Sequence, residues 1–192
     1  MGILGTLFGK KKQVGPNASG IFALVTAQVN LVDQYRLLST GKVGLCFNPM
    51  DSSFFTNLED EIRGLLEVGE HTAGTRYTIV DDDYGFRWVI LQDDEFEDLA
   101  TAAYLAAQTF ADHGFAGRLL AVVFPFEYEG REIQWIYNYR RGNFYPFIPL
   151  QGRQQRDNAL ELSLSSKLER ELPVEKDLDR WYALWGAPFD AL

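Results

Sequence analysis

The stretch at 132–149, EIQWIYNYRRGNFYPFIP, constrains the fold more than any other part of the chain. It holds Trp135, Tyr137, Tyr139, Phe144, Tyr145 and Phe147, interrupted by Arg140-Arg141 and the turn formers Gly142-Asn143. Before Gly142 the residues alternate. Ile133, Trp135, Tyr137 and Tyr139 share one face, and Glu132, Gln134, Asn138 and Arg140 the other, with Ile136 the exception. A period of two means a β-strand, and an aromatic face of this size needs a cover. Beyond Gly142 the pattern breaks, and Pro146 and Pro149 are expected to end sheet pairing. The first half therefore reads as core, and residues 140–147 as a turn and proline-limited arm leaving the sheet.

The strand has a partner directly upstream. Residues 118–128 form an apolar run, and Glu129-Gly130 is short enough for a tight reversal, so the two make a hairpin. A second hairpin is expected from 75–80 and 86–91 around Asp81-Asp82-Asp83-Tyr84-Gly85. Between the hairpins, Asp93-Asp94-Glu95 places negative charge at the start of a helix over about 94–112, burying Phe96, Leu99, Ala103, Ala106, Ala107 and Phe110. Upstream, a strand is expected at 43–47. A helix then starts from Asp51 or Ser52 and buries Phe55, Leu58, Ile62, Leu65 and Leu66. Residues 21–27 read as a short helix, while 31–38 fit a helical turn or a strand equally well. Towards the end, Leu160, Leu164, Leu168 and Leu172 make an i+4 stripe closed by Pro173. Leu178, Trp181, Tyr182 and Trp185 have the spacing of a last short helix. The resulting expectation is an α+β fold, with an antiparallel sheet built from hairpins and helices packed on one face. Residues 16–192 are expected to form one domain, preceded by a basic, amphipathic segment at 1–15.

At 192 residues the chain can bury a core without disulfides, in keeping with one cysteine, Cys46, in an apolar run. Net charge is −9, and the three lysines at 10, 11 and 12 lie in a stretch with no acid, so the remainder sums to −12. A global field of that sign argues against nucleic acid as a partner. No apolar run reaches the ~20 residues of a membrane-spanning helix, and a secretory signal pattern is missing, so a cytoplasmic location is expected. Ile3, Leu4, Leu7 and Phe8 fall at helical spacing ahead of Lys10, Lys11 and Lys12. That pattern suits a foot on a membrane surface or in a partner groove, although Gly2, Gly5 and Gly9 each weaken a helix by about 1 kcal/mol. A partly ordered terminus is the plainer alternative.

Chemistry is harder to find. Neither Gly9-Lys10 nor Gly41-Lys42 completes a P-loop, and the triple-aspartate loop departs from the calcium-loop spacing. One cysteine and two distant histidines, His71 and His113, do not make a zinc set. No metal and no cofactor are expected. Arg140, Arg141, Arg153 and Arg156 beside Phe144, Tyr145 and Phe147 form the most suggestive constellation, since arginine, tyrosine and tryptophan dominate protein interfaces. The same arginines can instead pair with this acidic protein's own carboxylates. The expected contact surface is Arg140, Arg141, Phe144, Tyr145 and Phe147, with Trp181 and Trp185 as neighbours. A hydrolase using two carboxylates in a cleft beside the aromatic strand is the alternative.

Five motifs together resemble the PspA-associated protein PspAB family. They are Gly41-x-x-Gly44-x-Cys46-Phe47-x-Pro49, Tyr84-Gly85-Phe86-x-Trp88, Tyr139-x-Arg141-Gly142-x-Phe144-Tyr145-Pro146-Phe147, the run from Arg156 to Leu162, and the run from Glu171 to Trp181. The resemblance implies a prokaryotic, non-enzymatic accessory or regulatory protein of the phage-shock, envelope-stress response built on PspA, a membrane-remodelling coiled-coil protein. It implies a PspA-like protein or another envelope-stress component as partner and peripheral attachment at the inner face of the membrane. It supplies no site residues. The hairpin–helix–hairpin layout is also similar to type III secretion chaperone-like and YbjN-like domains, a likeness of fold alone.

Overall fold

The computed structural model describes residues 17–150, 152 and 154–192. The expected membrane-contact residues Ile3, Leu4, Leu7, Phe8, Lys10, Lys11 and Lys12 lie outside the described residues. In chain order the elements are a 3-10 turn (Ala18–Ile21), α1 (Phe22–Asp33), β1 (Leu38–Ser39), β2 (Lys42–Phe47), α2 (Ser53–Thr72), β3 (Arg76–Asp81), β4 (Arg87–Gln92), α3 (Phe96–Asp112), β5 (Leu119–Tyr128), β6 (Arg131–Asn138), β7 (Asn143–Phe147) and α4 (Asn158–Leu168). All seven strands join one antiparallel sheet in the order β3-β4-β2-β5-β6-β7, with β1 also pairing with β5. The fold is α+β, and both expected hairpins are present with α3 between them.

Register decides which side chains meet the helices. Phe47 of β2 packs against Phe55 of α2 and Phe110 of α3, with Phe110 at 5.0 Å edge-on. Phe124 and Phe126 of β5 meet Phe96 at the start of α3. On the same face Trp135 and Tyr137 of β6 are fully buried, as their alternation requires. Tyr137 donates its hydroxyl to the Asn17 carbonyl, and Tyr139 donates to the Ala107 carbonyl of α3. Helix α2 thus lies against β3, α3 against β2 and β4, and the 3-10 turn and α1 along the far side of α3. Ser52 caps α2, accepting from the Phe55 N–H, and the expected stripe Phe55, Leu58, Ile62 and Leu66 is buried. Leu65, expected in that stripe, is exposed instead. It is one residue, about 100° of helix rotation, away from Leu66 and so points off the sheet.

The opposite face of the sheet is covered as well, and not by a regular helix. Residues 178–192 were expected to open with a short helix. Only 3-10 turns form, at Leu178–Arg180 and Phe189–Ala191, and Leu178 and Tyr182 are exposed. What defeats the helix is sheet periodicity beneath it. Tyr145 and Phe147, two apart on β7, point to this face. Trp181 stacks on the first at 6.3 Å, and Trp185 meets the second edge-on at 4.8 Å. Phe189 then sits on Trp88 and over Gly44, where an added Cβ would come within 3.1 Å of both rings. Lys42 secures the end of this segment, donating to the carbonyls of Phe189 (2.7 Å) and Leu192 (2.6 Å).

The second half of the opening stretch also departs from expectation. Residues 143–147 do not leave the sheet; they are β7, paired with β6 from Asn138↔Asn143 to Gln134↔Phe147. Pro146 is tolerated because of its parity. Phe144 bonds away from β6, donating to the Pro173 carbonyl and accepting from the Glu175 N–H, both at 2.8 Å. Pro146, two residues on, turns its missing N–H to that same outer side, so no bond to β6 is lost. Residues 173–175 thereby cap this sheet edge. The undecided span 31–38 divides: α1 continues to Asp33, and Leu38 begins β1.

The end of α1 carries a testable strain. Arg36 is exposed yet holds φ at +57°, while the Leu37 N–H closes the helix on the Leu31 carbonyl at 2.9 Å. Glycine is the usual residue at this left-handed position, and a Cβ there costs about 1–2 kcal/mol. Arg36→Gly is expected to raise the urea midpoint by the equivalent of about 1 kcal/mol; a lower midpoint would refute this account of the turn.

Candidate docking groove

Two side-chain stripes converge on the outer surface between α2 and α3. On α2 the stripe is Leu65, Val68 and Thr72, at i, i+3 and i+7, next to the stripe that faces the sheet. On α3 it is Asp98, Thr101, Ala102 and Leu105. Between them lies a mainly apolar groove of about 230 Å³, floored by Leu66 and Ala106. Three large apolar side chains along it remain in water: Val68 is 61% exposed, Leu105 45% and Leu65 39%. A single exposed leucine is ordinary on a protein surface, but three large apolar side chains along one groove make a contiguous apolar surface of the kind that docking sites have.

Backbone composition points the same way. Gly69 lies inside α2 and lines the groove, and Gly64 lies five residues earlier, off the groove. No atom stands within 4 Å of where a Cβ would be at either position. Neither glycine is required by packing in the described fold, although each costs a helix about 1 kcal/mol relative to alanine. At Gly69 the missing side chain leaves the groove wall open to close approach by another backbone. Both helices are net acidic, α2 with five carboxylates against one arginine and α3 with three carboxylates; of these Asp98 lines the groove, while Glu59 and Glu61 are engaged by Arg87 and His113.

The residues expected to form the contact surface are placed differently. Phe144, Tyr145 and Phe147 have at most 2% of their surface exposed, and Trp181 is buried as well. Tyr145, Phe147 and Trp181 join the sheet to its C-terminal cover, Phe144 packs against Tyr137 on the helical face, and none of these rings is available on this surface in the folded chain. Arg140 is exposed and donates to the Gly117 carbonyl, Arg141 is half-buried, and Trp185 is half-buried against Phe147. The arginine cluster is dispersed, because Arg156 is committed to the interior. Its guanidinium grips both oxygens of Glu161 (2.9 and 2.8 Å), donates to the Trp181 carbonyl at 2.7 Å and lies over the Phe147 ring.

The buried carboxylates near the aromatic strand are likewise occupied. Glu161, 1% exposed, also accepts from the Ile148 N–H at 2.8 Å. Burial raises its pKa, and that backbone bond and Arg156 only partly offset the rise. Glu175 accepts from the Asn143 amide at 2.8 Å and from the Asp177 N–H at 3.0 Å. Burial would raise its pKa too, but these bonds, with Arg180 and Arg141 nearby, outweigh it and hold the group below the ordinary carboxylate value. Cys46 is buried on the same face as Gly44, and desolvation, with Asp82 adding to it, pushes its thiol up to about 12. Among the described residues, no group of three His, Cys, Asp or Glu side chains is arranged to hold a metal ion. No helix among them is long and apolar enough to cross a membrane.

The fold and this surface define an α+β domain with an apolar groove between two of its helices. The chain belongs to the PspA associated protein B family, whose model matches residues 1–189. The family places it in an accessory role in the PspA system. Neither a curated protein nor a solved structure was found to match it.

Proposed function

We propose that this chain is a non-enzymatic, cytoplasmic protein-binding module of a PspA-type envelope-stress response, holding a PspA-like protein through the groove between α2 and α3. The observation that carries this reading is the exposure of Leu65, Val68 and Leu105 along one groove, beside a glycine that the described packing does not require. A helix laid into such a groove buries its own apolar stripe against these side chains, and the fold already contains the two walls. Asp98 in the lining and the net negative charge of both helices favour a partner segment with basic flanks. The exposed end of the β6–β7 turn, with Arg140 and Arg141, is a second point of contact that the motif around 139–147 recommends. Attachment to the inner face of the membrane through residues 1–12 belongs to the same reading.

Retention of the PspA-like protein from the same organism on the immobilised full-length chain tests the proposal. Val68→Asp combined with Leu105→Asp is expected to cut retention at least tenfold. Because both side chains are largely exposed, the thermal midpoint should move little. Arg141→Glu in parallel measures the turn by itself. Full retention by the groove variant would remove the groove from the interaction, and full retention by both variants would remove both surfaces.

A further inference from the structure

We infer that, when no partner holds it, the α2–α3 groove is occupied by the chain's own segment 3–8, with Lys10, Lys11 and Lys12 against the acidic surface around it. The inference rests on the groove being a docking surface, but not on what the external partner is. Shape is the first argument. Ile3, Leu4, Leu7 and Phe8 recur at i, i+1, i+4 and i+5 and would give one apolar stripe of about 8–9 Å on a helix. From Leu65 to Thr72 the α2 wall runs about 10 Å, and its Gly69 leaves room for a neighbouring backbone.

Charge is the second. The first twenty residues hold three lysines and no acid, α2 and α3 are both net acidic, and Asp98 lies in the lining of the groove itself. Opposite charges around an apolar contact fix orientation and speed capture, and their effect fades with salt.

Reach is the third. Asn17 is tied to the Tyr139 carbonyl, and Tyr139 bonds to Ala107, so the described chain begins on the α1 side of α3. The groove lies on the other side of that helix, a crossing of about 10–12 Å. Eight residues separate Phe8 from Asn17, giving nine Cα-to-Cα steps and about 30 Å of extended chain. A tether of that length gives an effective concentration on the order of millimolar, so an intrinsic dissociation constant of ~0.1 mM keeps the groove about 90% filled. A membrane surface and the groove would draw on the same four apolar residues, so segment 3–8 can serve only one at a time. Membrane attachment would then open the groove to the partner.

Thiol labelling of the full-length chain tests this. Cys46 is buried, and in a Leu105→Cys variant the new thiol reports the groove. With the native N-terminus its labelling is expected to be at least fivefold slower than in the same variant carrying Leu4→Asp and Phe8→Asp. Vesicles of anionic lipid should restore fast labelling, and high salt should raise the rate in part. A second measurement does not depend on rates: Leu7→Cys with Val68→Cys should form an intramolecular disulfide at low protein concentration. Equal labelling rates, together with no such disulfide, would overturn the inference. Cross-linked dimers in place of the intramolecular product would assign the groove to a second copy and overturn it as well. Loss of PspA-like retention plays no part in either measurement, so the two proposals fail separately.

Discussion

Arg156→Ala is expected to cost about 3–5 kcal/mol of stability, the range for removing one member of a buried ion pair. Four attachments leave with the side chain: the Nε–H shared between both Glu161 oxygens, the bonds to the Trp181 and Pro146 carbonyls, and the contact over Phe147. Glu161 then stays behind, 1% exposed, with the Ile148 N–H as its remaining donor. The pair links α4, the end of β7 and the C-terminal cover, so the loss is expected to be cooperative rather than local. Its pH dependence identifies the cause. Burial already raises the pKa of Glu161, and without Arg156 it rises further. A raised carboxyl binds its proton more readily in the folded state, so the variant should regain stability as pH falls from about 7 towards 5. Urea midpoints across that range are the measurement. Arg156→Lys keeps the charge without the planar fork and should recover only part of the loss. Arg156→Met with Glu161→Leu removes the stranded charge and should recover more. If the single and double variants were equally unstable, the buried charge would not be the source.

The second large effect is expected at alkaline pH. Cys46, Tyr137, Tyr139 and Tyr145 are each at most 2% exposed. Burial is the leading cause of a raised pKa in all four: Cys46 and Tyr137 are each pushed up to about 12, and Tyr139 and Tyr145 upward as well. The neutral form of each is the one the fold accommodates. Their contribution is therefore complete below the ordinary thiol and phenol values and is lost as pH rises past about 9 for the thiol and 10 for the phenols. Each group adds a slope of up to about 1.4 kcal/mol per pH unit, so the four together give a steep alkaline limb. Urea midpoints should be level from about pH 7 to 9 and fall sharply by about 11. Phenolate absorbance from the buried rings should appear together with the loss of ordered structure. A flat midpoint up to about pH 11 would contradict the burial of these groups.

Comparison of particular elements shows what was legible. The alternation through Ile133, Trp135, Tyr137 and Tyr139 identified a buried strand, and each of these residues is in the core. Helix α3 was readable down to its buried positions, because a 3.6-residue period needs no knowledge of the neighbour. At Pro146 the same kind of local rule misled, since the cost of a proline depends on which side of the strand its missing N–H faces. The helical spacing of Leu178, Trp181, Tyr182 and Trp185 misled in the same way: the two tryptophan rings follow the two-residue step of Tyr145 and Phe147 below them, not a helix of their own. The groove was not found at all. Its only trace in the sequence was a second apolar stripe on α2 and the glycine at 69, which become informative only once α3 is known to lie alongside.

The sequence by itself determined the α+β class, the two hairpins, α2 and α3, and the motifs that place the chain in its family. Periodicity and turn chemistry are local, and these features depend on nothing else. Only the tertiary structure decided that the aromatic arm is a paired strand, that the opposite face of the sheet has its own cover, and that Arg156 is an internal tie. It alone decided that Leu65, Val68 and Leu105 face water together. Exposure is a relation between elements distant in sequence, and which apolar side chains stay uncovered is settled only when every element has chosen what it packs against.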